Sequence, residues 1–113
     1  MLYGKPTNKY GNKWTEYNGQ RYQSKKEAEF AMELDLRIKG KDIKSWQRQV
    51  PYDLFVNNEK VGKYVVDFLV VHNDDSVELI EVKGIWTPLA KFKQKIFRAS
   101  YLKNNPDVKY RVV

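Results

Sequence analysis

Two apolar segments with charged residues near their facing ends constrain the fold of this chain most strongly. They read YVVDFLVV (residues 64–71) and VELIEVKG (residues 77–84), and the polar residues 73–76 separate them. β-Branched and aromatic residues favour strands, whereas Asn, Asp and Ser favour a tight turn. The pattern therefore predicts an antiparallel hairpin with Asp67 inside its first strand.

The hairpin register brings the charged residues together. Across a tight turn at residues 73–76, paired residues have numbers that sum to about 149, give or take one. Asp67 then faces residues 81–83, and alternation along the strand places Glu81 and Lys83 on one face and Val82 on the other. Charges in an apolar setting are unfavourable unless they are paired, hydrogen-bonded or bound to a metal. We therefore expect a cation site here.

The spacing Asp67-x13-Glu81-x-Lys83, followed by Gly84, resembles the core motif of the PD-(D/E)xK, or restriction-endonuclease-like, nuclease superfamily. Val66 stands where that motif has Pro, which leaves both carboxylates intact. The resemblance implies an α/β fold with a mixed, mostly antiparallel sheet of four or five strands flanked by helices. It also implies a Mg²⁺- or Mn²⁺-dependent deoxyribonuclease. In such an enzyme Asp67, Glu81 and the Val82 carbonyl bind the metal, and Lys83 orients the attacking water or stabilises developing charge.

A helix is predicted over residues 24–39. Ser24 and Glu27 form a capping box, apolar residues follow at helical spacing, and Gly40 ends the helix. The superfamily commonly opens with such a helix, whose early Glu points at the metal site. Glu27 lies on or beside the apolar face, which favours it as this metal-binding and catalytic carboxylate. Glu29 is the alternative, and its spacing from Glu33 indicates a solvated side chain.

The same residues also resemble small phage-borne nucleases that are similar to Holliday-junction resolvases. That resemblance implies cleavage of branched DNA in phage recombination, replication or packaging, in the host cytoplasm. A C2 homodimer is expected because symmetric cutting of two strands requires two active sites. Two alternatives remain open: a DNA-binding module of the same fold that does not cut, and a nuclease acting on linear or nicked ends.

Basic residues are concentrated at the two ends of the chain. Residues 1–26 carry six basic side chains against one acidic, residues 89–113 carry seven against one, and the middle is net acidic. This distribution suits a nuclease whose carboxylates bind metal while its ends neutralise DNA phosphates. We interpret residues 1–16 as a flexible basic arm in which Lys9 and Lys13 contact DNA, and residues 17–113 as a single nuclease domain.

A second helix is predicted from Thr87–Pro88 to about Leu102. One apolar stripe is expected to face the core, and a basic ridge runs beside it. The stripe is Leu89, Phe92, Ile96 and Ala99, and the ridge is Lys91, Lys95 and Arg98. Gln94 is positioned to supplement the motif, and Trp86 is a candidate for contact with DNA or a second subunit.

The remaining sequence excludes several classes of site. The chain has no Cys and one His, so a structural zinc site is not expected, and oxygen ligands favour Mg²⁺ or Mn²⁺. His72 is expected to be solvated. No apolar run suggests a signal peptide or a membrane span. Further strands are predicted at residues 46–55, with a kink at Pro51, and at residues 108–113.

Overall fold

The computed structural model describes residues 14–82, 84 and 86–113. These residues fall into two compact units, one extending to Lys41 and the other spanning Asp42–Val113. Within the described residues, no helix has the length and apolar character needed to cross a membrane. Lys9, Lys13 and Lys83, which the sequence assigns to the site, lie outside the described residues.

The first unit contains a short hairpin and one helix. Strands β1 (Thr15–Tyr17) and β2 (Gln20–Tyr22) pair antiparallel, so the last residues of the expected arm belong to a strand. Asn18 and Gly19 both have positive φ, 53° and 78°, which is the backbone of a type I′ turn and suits the twist of paired strands.

Helix α1 (Lys25–Lys39) begins where the capping residues predicted it. The Ser24 side chain accepts a hydrogen bond of 3.1 Å from the Glu27 amide, and Glu27 Oε1 accepts one of 3.2 Å from the Gln23 amide. The first bond satisfies an amide of the first turn that the helix itself leaves unpaired, and the second ties the residue before the cap to the helix. Gly40 follows the last turn and donates to the Leu36 carbonyl at 2.9 Å.

The second unit is built on a mixed four-stranded sheet. Its strands are β3 (Ser45–Val56), β4 (Glu59–Val71), β5 (Val77–Glu81) and β6 (Lys109–Val112). They lie side by side in chain order, with antiparallel pairing except between β5 and β6, which are parallel. The prediction of an α/β fold with a mixed, mostly antiparallel sheet is confirmed at this level.

Strand β3 passes through Pro51, which pairs with Val65. Because β3 is at the edge of the sheet, a residue without an N–H is tolerated there. The irregularities lie elsewhere: Gln49 has φ of 54°, and the register shifts between Leu54 and Phe55. The sequence therefore predicted the distortion of β3 at the wrong residue.

Helix α2 (Pro88–Phe97) connects the parallel strands and continues into a π-helical turn, Arg98–Leu102. Thr87 caps it by accepting a 3.1 Å hydrogen bond from the Ala90 amide. Phe97 is fully buried in the core of this unit, against Leu54, Tyr64, Val66 and Leu79. Its ring stacks on those of Tyr64 and Tyr101, with centroids 4.9 and 5.3 Å away.

The expected core stripe of the second helix was wrong. Leu89 and Phe92 are 63% and 61% exposed, Ala99 is exposed, and only Ile96 packs against the core. The helix turns the face that carries Phe97 and Gln94 toward the sheet instead. A polar Gln is tolerated on that face because its side-chain amide donates a 3.0 Å hydrogen bond to the Tyr110 hydroxyl.

Candidate active site

The register of the motif hairpin agrees with the prediction. β4 and β5 pair Phe68 with Ile80 and Leu69 with Leu79, within one residue of the expected alignment. Beyond the last pair, Asp67 Oδ2 accepts a hydrogen bond of 2.9 Å from the Val82 amide. Asp67 therefore meets the end of β5 as the sequence indicated.

Asp67 is a buried carboxylate within an apolar strand. It is 7% exposed, and its neighbours Val66 and Phe68 are fully buried. A carboxylate in such a position is stabilised when it accepts hydrogen bonds, and the Val82 amide supplies one. This bond also fixes the direction of the Asp67 side chain relative to the end of β5.

Glu81 is fully buried, and tyrosines from both neighbouring strands contact it. Its Oε2 atom accepts hydrogen bonds from the Tyr64 hydroxyl on β4 and from the Tyr110 hydroxyl on β6, the latter at 2.5 Å. Gln94 of α2 donates to the Tyr110 hydroxyl. We call these four residues the Glu81 network.

The tyrosines of the Glu81 network are held in their protonated form. Burial and the hydrogen bond to Glu81 raise the pKa of Tyr64 well above its ordinary value of 10.0. The same two causes raise the pKa of Tyr110 to about 12. At neutral pH both hydroxyls therefore act as donors to Glu81, which favours a fixed carboxylate.

The oxygen atoms of Asp67, Glu81 and the Val82 carbonyl are hard ligands of the kind that Mg²⁺ prefers. Magnesium is commonly bound by one or two carboxylates, with waters and substrate phosphates as the other ligands. The two buried carboxylates on neighbouring strands fit that donor set. Residues 14–82, 84 and 86–113 contain no group of three or more His, Cys, Asp or Glu side chains arranged to hold a metal ion.

The two helix carboxylates differ as the sequence predicted. Glu27 is 5% exposed and takes part in the capping box of α1. The Glu29 side chain is 62% exposed and lies 4.0 Å from the Lys25 ammonium, one helical turn away. Glu29 is thus the solvated residue of the two.

Part of the basic ridge lines a cavity beside the Glu81 network. Trp86, Lys91, Gln94 and Lys95 surround a cavity of about 300 Å³ that also touches Val112. Gln94 belongs both to this cavity and to the Glu81 network. Arg98 is exposed at the end of α2. A hydrogen-bonded path therefore leads from a lysine-lined cavity to the buried Glu81.

His72 is not a solvated residue. Its Nε2 atom lies 2.9 Å from Glu78 Oε1, and its side chain is only 22% exposed. Arg111 donates to the other oxygen of Glu78 at 3.0 Å. We call His72, Glu78 and Arg111 the Glu78 cluster. It joins the residue that follows β4 to β5 and β6, away from the motif end of the hairpin.

Tyr64 and Tyr110 are the site residues that sequence reasoning missed. The available signal was chemical: a buried Glu needs hydrogen-bond donors, and a Tyr in each flanking strand can provide them. Tyr64 is three residues before Asp67, but Tyr110 becomes a neighbour of Glu81 only through the parallel pairing of β5 with β6.

Comparison with curated proteins and with solved structures found no match. A family model described as "Protein of unknown function (DUF1064)" matches residues 7–112. The match includes the whole motif hairpin, the Glu81 network and the basic ridge. The chain therefore belongs to the DUF1064 family.

Proposed function

We propose that this protein is a metal-dependent DNA endonuclease with a restriction-endonuclease-like fold, and that it cuts branched DNA such as Holliday junctions. The observation that supports this most is the meeting of Asp67 with the end of β5, where its carboxylate accepts the Val82 amide next to the buried Glu81. One or two carboxylates commonly bind Mg²⁺, and a bound cation can promote phosphodiester hydrolysis.

Asp67, Glu81 and the Val82 carbonyl are the residues that would hold Mg²⁺ or Mn²⁺. An ion bound there would polarise the scissile phosphate and lower the pKa of a water molecule. The protein's contribution is to fix the ligands. The Val82 amide orients Asp67, and the hydroxyls of Tyr64 and Tyr110 orient Glu81. Ligands fixed in this way need no rearrangement when the charge of the transition state develops.

Lys83 and the basic ridge supply the cationic part of the proposed site. Lys83 directly follows Val82 and would stabilise developing charge or orient the attacking water. Lys91 and Lys95 line one cavity with Trp86, so two ammonium groups and an indole lie within reach of one nucleotide. Phosphates bind the lysines, and the indole offers a surface for base stacking.

Substitution of the motif residues tests the proposal. Asp67→Asn, Glu81→Gln and Lys83→Ala should each abolish cleavage of a labelled Holliday junction in Mg²⁺ while leaving DNA binding intact. The substrate panel should include flap, single-stranded and linear DNA. Glu33→Gln and Lys39→Ala, at exposed positions of α1, are matched controls that should cut normally. Wild-type rates in any of the three motif variants would overturn the assignment.

A second pair of variants tests which carboxylate of α1 takes part in the proposed site. Glu27→Gln should lose most of the activity, because the nuclease resemblance assigns the early helix Glu to the metal site. Glu29→Gln should lose little, because Glu29 is a solvated partner of Lys25. The reverse result would exchange the two roles. Thermal unfolding of both variants separates loss of the capping box from loss of chemistry.

A DNA-binding module that does not cut is the second candidate. The observation that favours it is that Glu81 Oε2 already accepts two tyrosine hydroxyls, as a purely structural carboxylate would. The same substrate panel distinguishes the two functions. A module would bind junctions tightly and leave them uncut in both Mg²⁺ and Mn²⁺.

A further inference from the structure

A second cavity lies in the unit Asp42–Val113, between the β3–β4 hairpin and the π-helical turn. Its volume is about 470 Å³, within the range of about 300–1,000 Å³ that is usual for ligand sites. None of the residues of the Glu81 network or the basic ridge lines it. Its lining includes Tyr52, Asp53, Phe55, Asn57, Tyr101 and Asn104.

The aromatic side of this cavity is held rigidly. The ring of Tyr101 stacks on the core residue Phe97 with only 8° between the planes. Tyr52 packs on Tyr101 with ring centroids 4.6 Å apart, and Phe55 is 48% exposed at the mouth of the cavity. The packed tyrosines form an ordered aromatic wall, and the exposed Phe55 ring beside them offers a surface on which a flat ligand can stack.

The polar side of the cavity consists mainly of carboxamides. Asn57 lies in the β3–β4 turn with φ of 50°, and Asn104 follows the π-helical turn; both are exposed. The neighbouring Asn105 has a structural task, because its side chain donates to the Tyr101 carbonyl at 2.8 Å. Asn57 and Asn104 line the cavity with groups that both donate and accept hydrogen bonds.

Charge decides which ligand suits the cavity. Asp53 is the one ionised side chain in its lining, and it lies 3.3 Å from the Lys60 ammonium. The lining itself contains no Lys or Arg, and the nearby Lys60 is already paired with Asp53, so the cavity offers a phosphate little attraction. It favours a flat, uncharged ligand that stacks on aromatic rings and offers both donors and acceptors at its edge. Asn and Asp side chains bind the amino edges of adenine and cytosine in this way.

We propose that this cavity binds one unpaired nucleobase that carries an exocyclic amino group, such as an adenine extruded from DNA. The inference rests on the proposed function, because the DNA that the protein binds would supply the base. It adds a contact that is specific for bases in single-stranded or bulged DNA. The lysine-lined cavity would hold phosphates, whereas this one reads a base.

Binding is measured in EDTA, so that cleavage does not interfere. The probes are a DNA duplex with one extrahelical adenine and the same duplex with an abasic residue at that position. The wild-type protein should bind the adenine duplex about tenfold more tightly, as expected for one stacked base. The double variant Asn57→Gly/Asn104→Ala should lose this preference and keep its affinity for the abasic duplex.

Asn18→Gly is the matched control, because Asn18 occupies the corresponding position, φ of 53°, in the β1–β2 turn. It should keep the preference. Equal binding of the two duplexes by the wild-type protein, or an unchanged preference in the double variant, would overturn the inference.

A nuclear magnetic resonance titration of the full ¹⁵N-labelled protein with adenosine separates this inference from the proposed function. Adenosine should shift the side-chain amide signals of Asn57 and Asn104 even if the protein proves not to cut DNA. Glucose is the control ligand. If adenosine leaves these signals unmoved, whether or not glucose moves them, the cavity is not a nucleobase site.

Discussion

The Tyr110 hydroxyl donates a hydrogen bond of 2.5 Å to Glu81 Oε2, across the parallel pairing of β6 with β5. Glu81 is fully buried, so this bond and the one from Tyr64 accompany a carboxylate that water does not reach. The side chain proposed to bind a metal thus depends on two hydroxyls for its position.

Removal of one hydroxyl should therefore lower stability. Tyr110→Phe is expected to reduce the free energy of unfolding by about 2 kcal/mol, because it removes a hydrogen bond to a buried charged group. Denaturant unfolding measures this. Tyr17→Phe is the matched control: Tyr17 also donates to a carboxylate, that of Asp35 at 2.5 Å, but in a more exposed setting. An equal decrease in the free energy of unfolding of both variants would contradict the view that burial strengthens the contribution of the Tyr110 bond.

Activity should depend on the metal. Because the proposed ligands are all oxygens, cleavage is expected in Mg²⁺ or Mn²⁺ and should disappear in EDTA. Ca²⁺ should permit DNA binding with little turnover, since its looser coordination activates water poorly. Rates on a labelled junction with each ion give the answer, and gel-shift binding in Ca²⁺ is the control. Full cleavage in EDTA would contradict the mechanism.

Affinity for DNA should depend on the ridge lysines. Each phosphate contact releases counterions, so Lys91→Ala/Lys95→Ala should flatten the plot of log affinity against log salt by about two units. The loss should be similar for different sequences, because phosphate contacts carry no base information. Lys39→Ala/Lys63→Ala removes the same charge from exposed positions elsewhere. If both double variants had the wild-type slope, the ridge would be an ordinary solvated helix face.

The Glu78 cluster predicts how stability depends on pH. Burial alone would raise the pKa of Glu78, but the hydrogen bonds from His72 and Arg111 outweigh it and hold the pKa below its ordinary value of 4.5. A carboxylate whose pKa is lowered by folding contributes stability above the unfolded value and loses that contribution as pH falls through the folded value. The contribution is therefore present at neutral pH and disappears in acid.

Glu78→Gln measures that contribution. The variant should be less stable than the wild type by about 1 kcal/mol near neutral pH, a value reduced for the partial exposure of Arg111. The difference should shrink toward zero in acid, as the pH falls through the lowered pKa of Glu78 and the carboxylate is protonated. A difference that is the same at both pH values would show that the charge of Glu78 is not involved.

The sequence predicted the parts of the fold that local chemistry determines. The capping residues Ser24 and Glu27 set the start of α1, and the polar turn at residues 73–76 set the register that brings Asp67 to Val82. Both signals concern residues less than about twenty positions apart in the chain, and few other pairings compete over that distance.

The parts that failed depend on distant contacts. Leu89 and Phe92 have the spacing of a core stripe, yet the sheet contacts the other face of α2, because Phe97 fits the core and Tyr110 satisfies Gln94. The Glu81 network likewise needs the order of β4, β5 and β6 in the sheet. Helical periodicity gives the candidate faces of a helix, but the partner decides which one is buried.

The separation of the Glu81 partners along the chain predicts an order of assembly during folding. Tyr64 precedes Glu81 by 17 residues, whereas Tyr110 follows it by 29. Contacts between residues that are closer in the chain cost less loop-closure entropy, so the β3–β4–β5 meander is expected to form before the crossover helix and β6. In pulsed hydrogen exchange during refolding, the amides of the β3–β4 hairpin should therefore gain protection before those of β6; simultaneous protection of both would contradict this order.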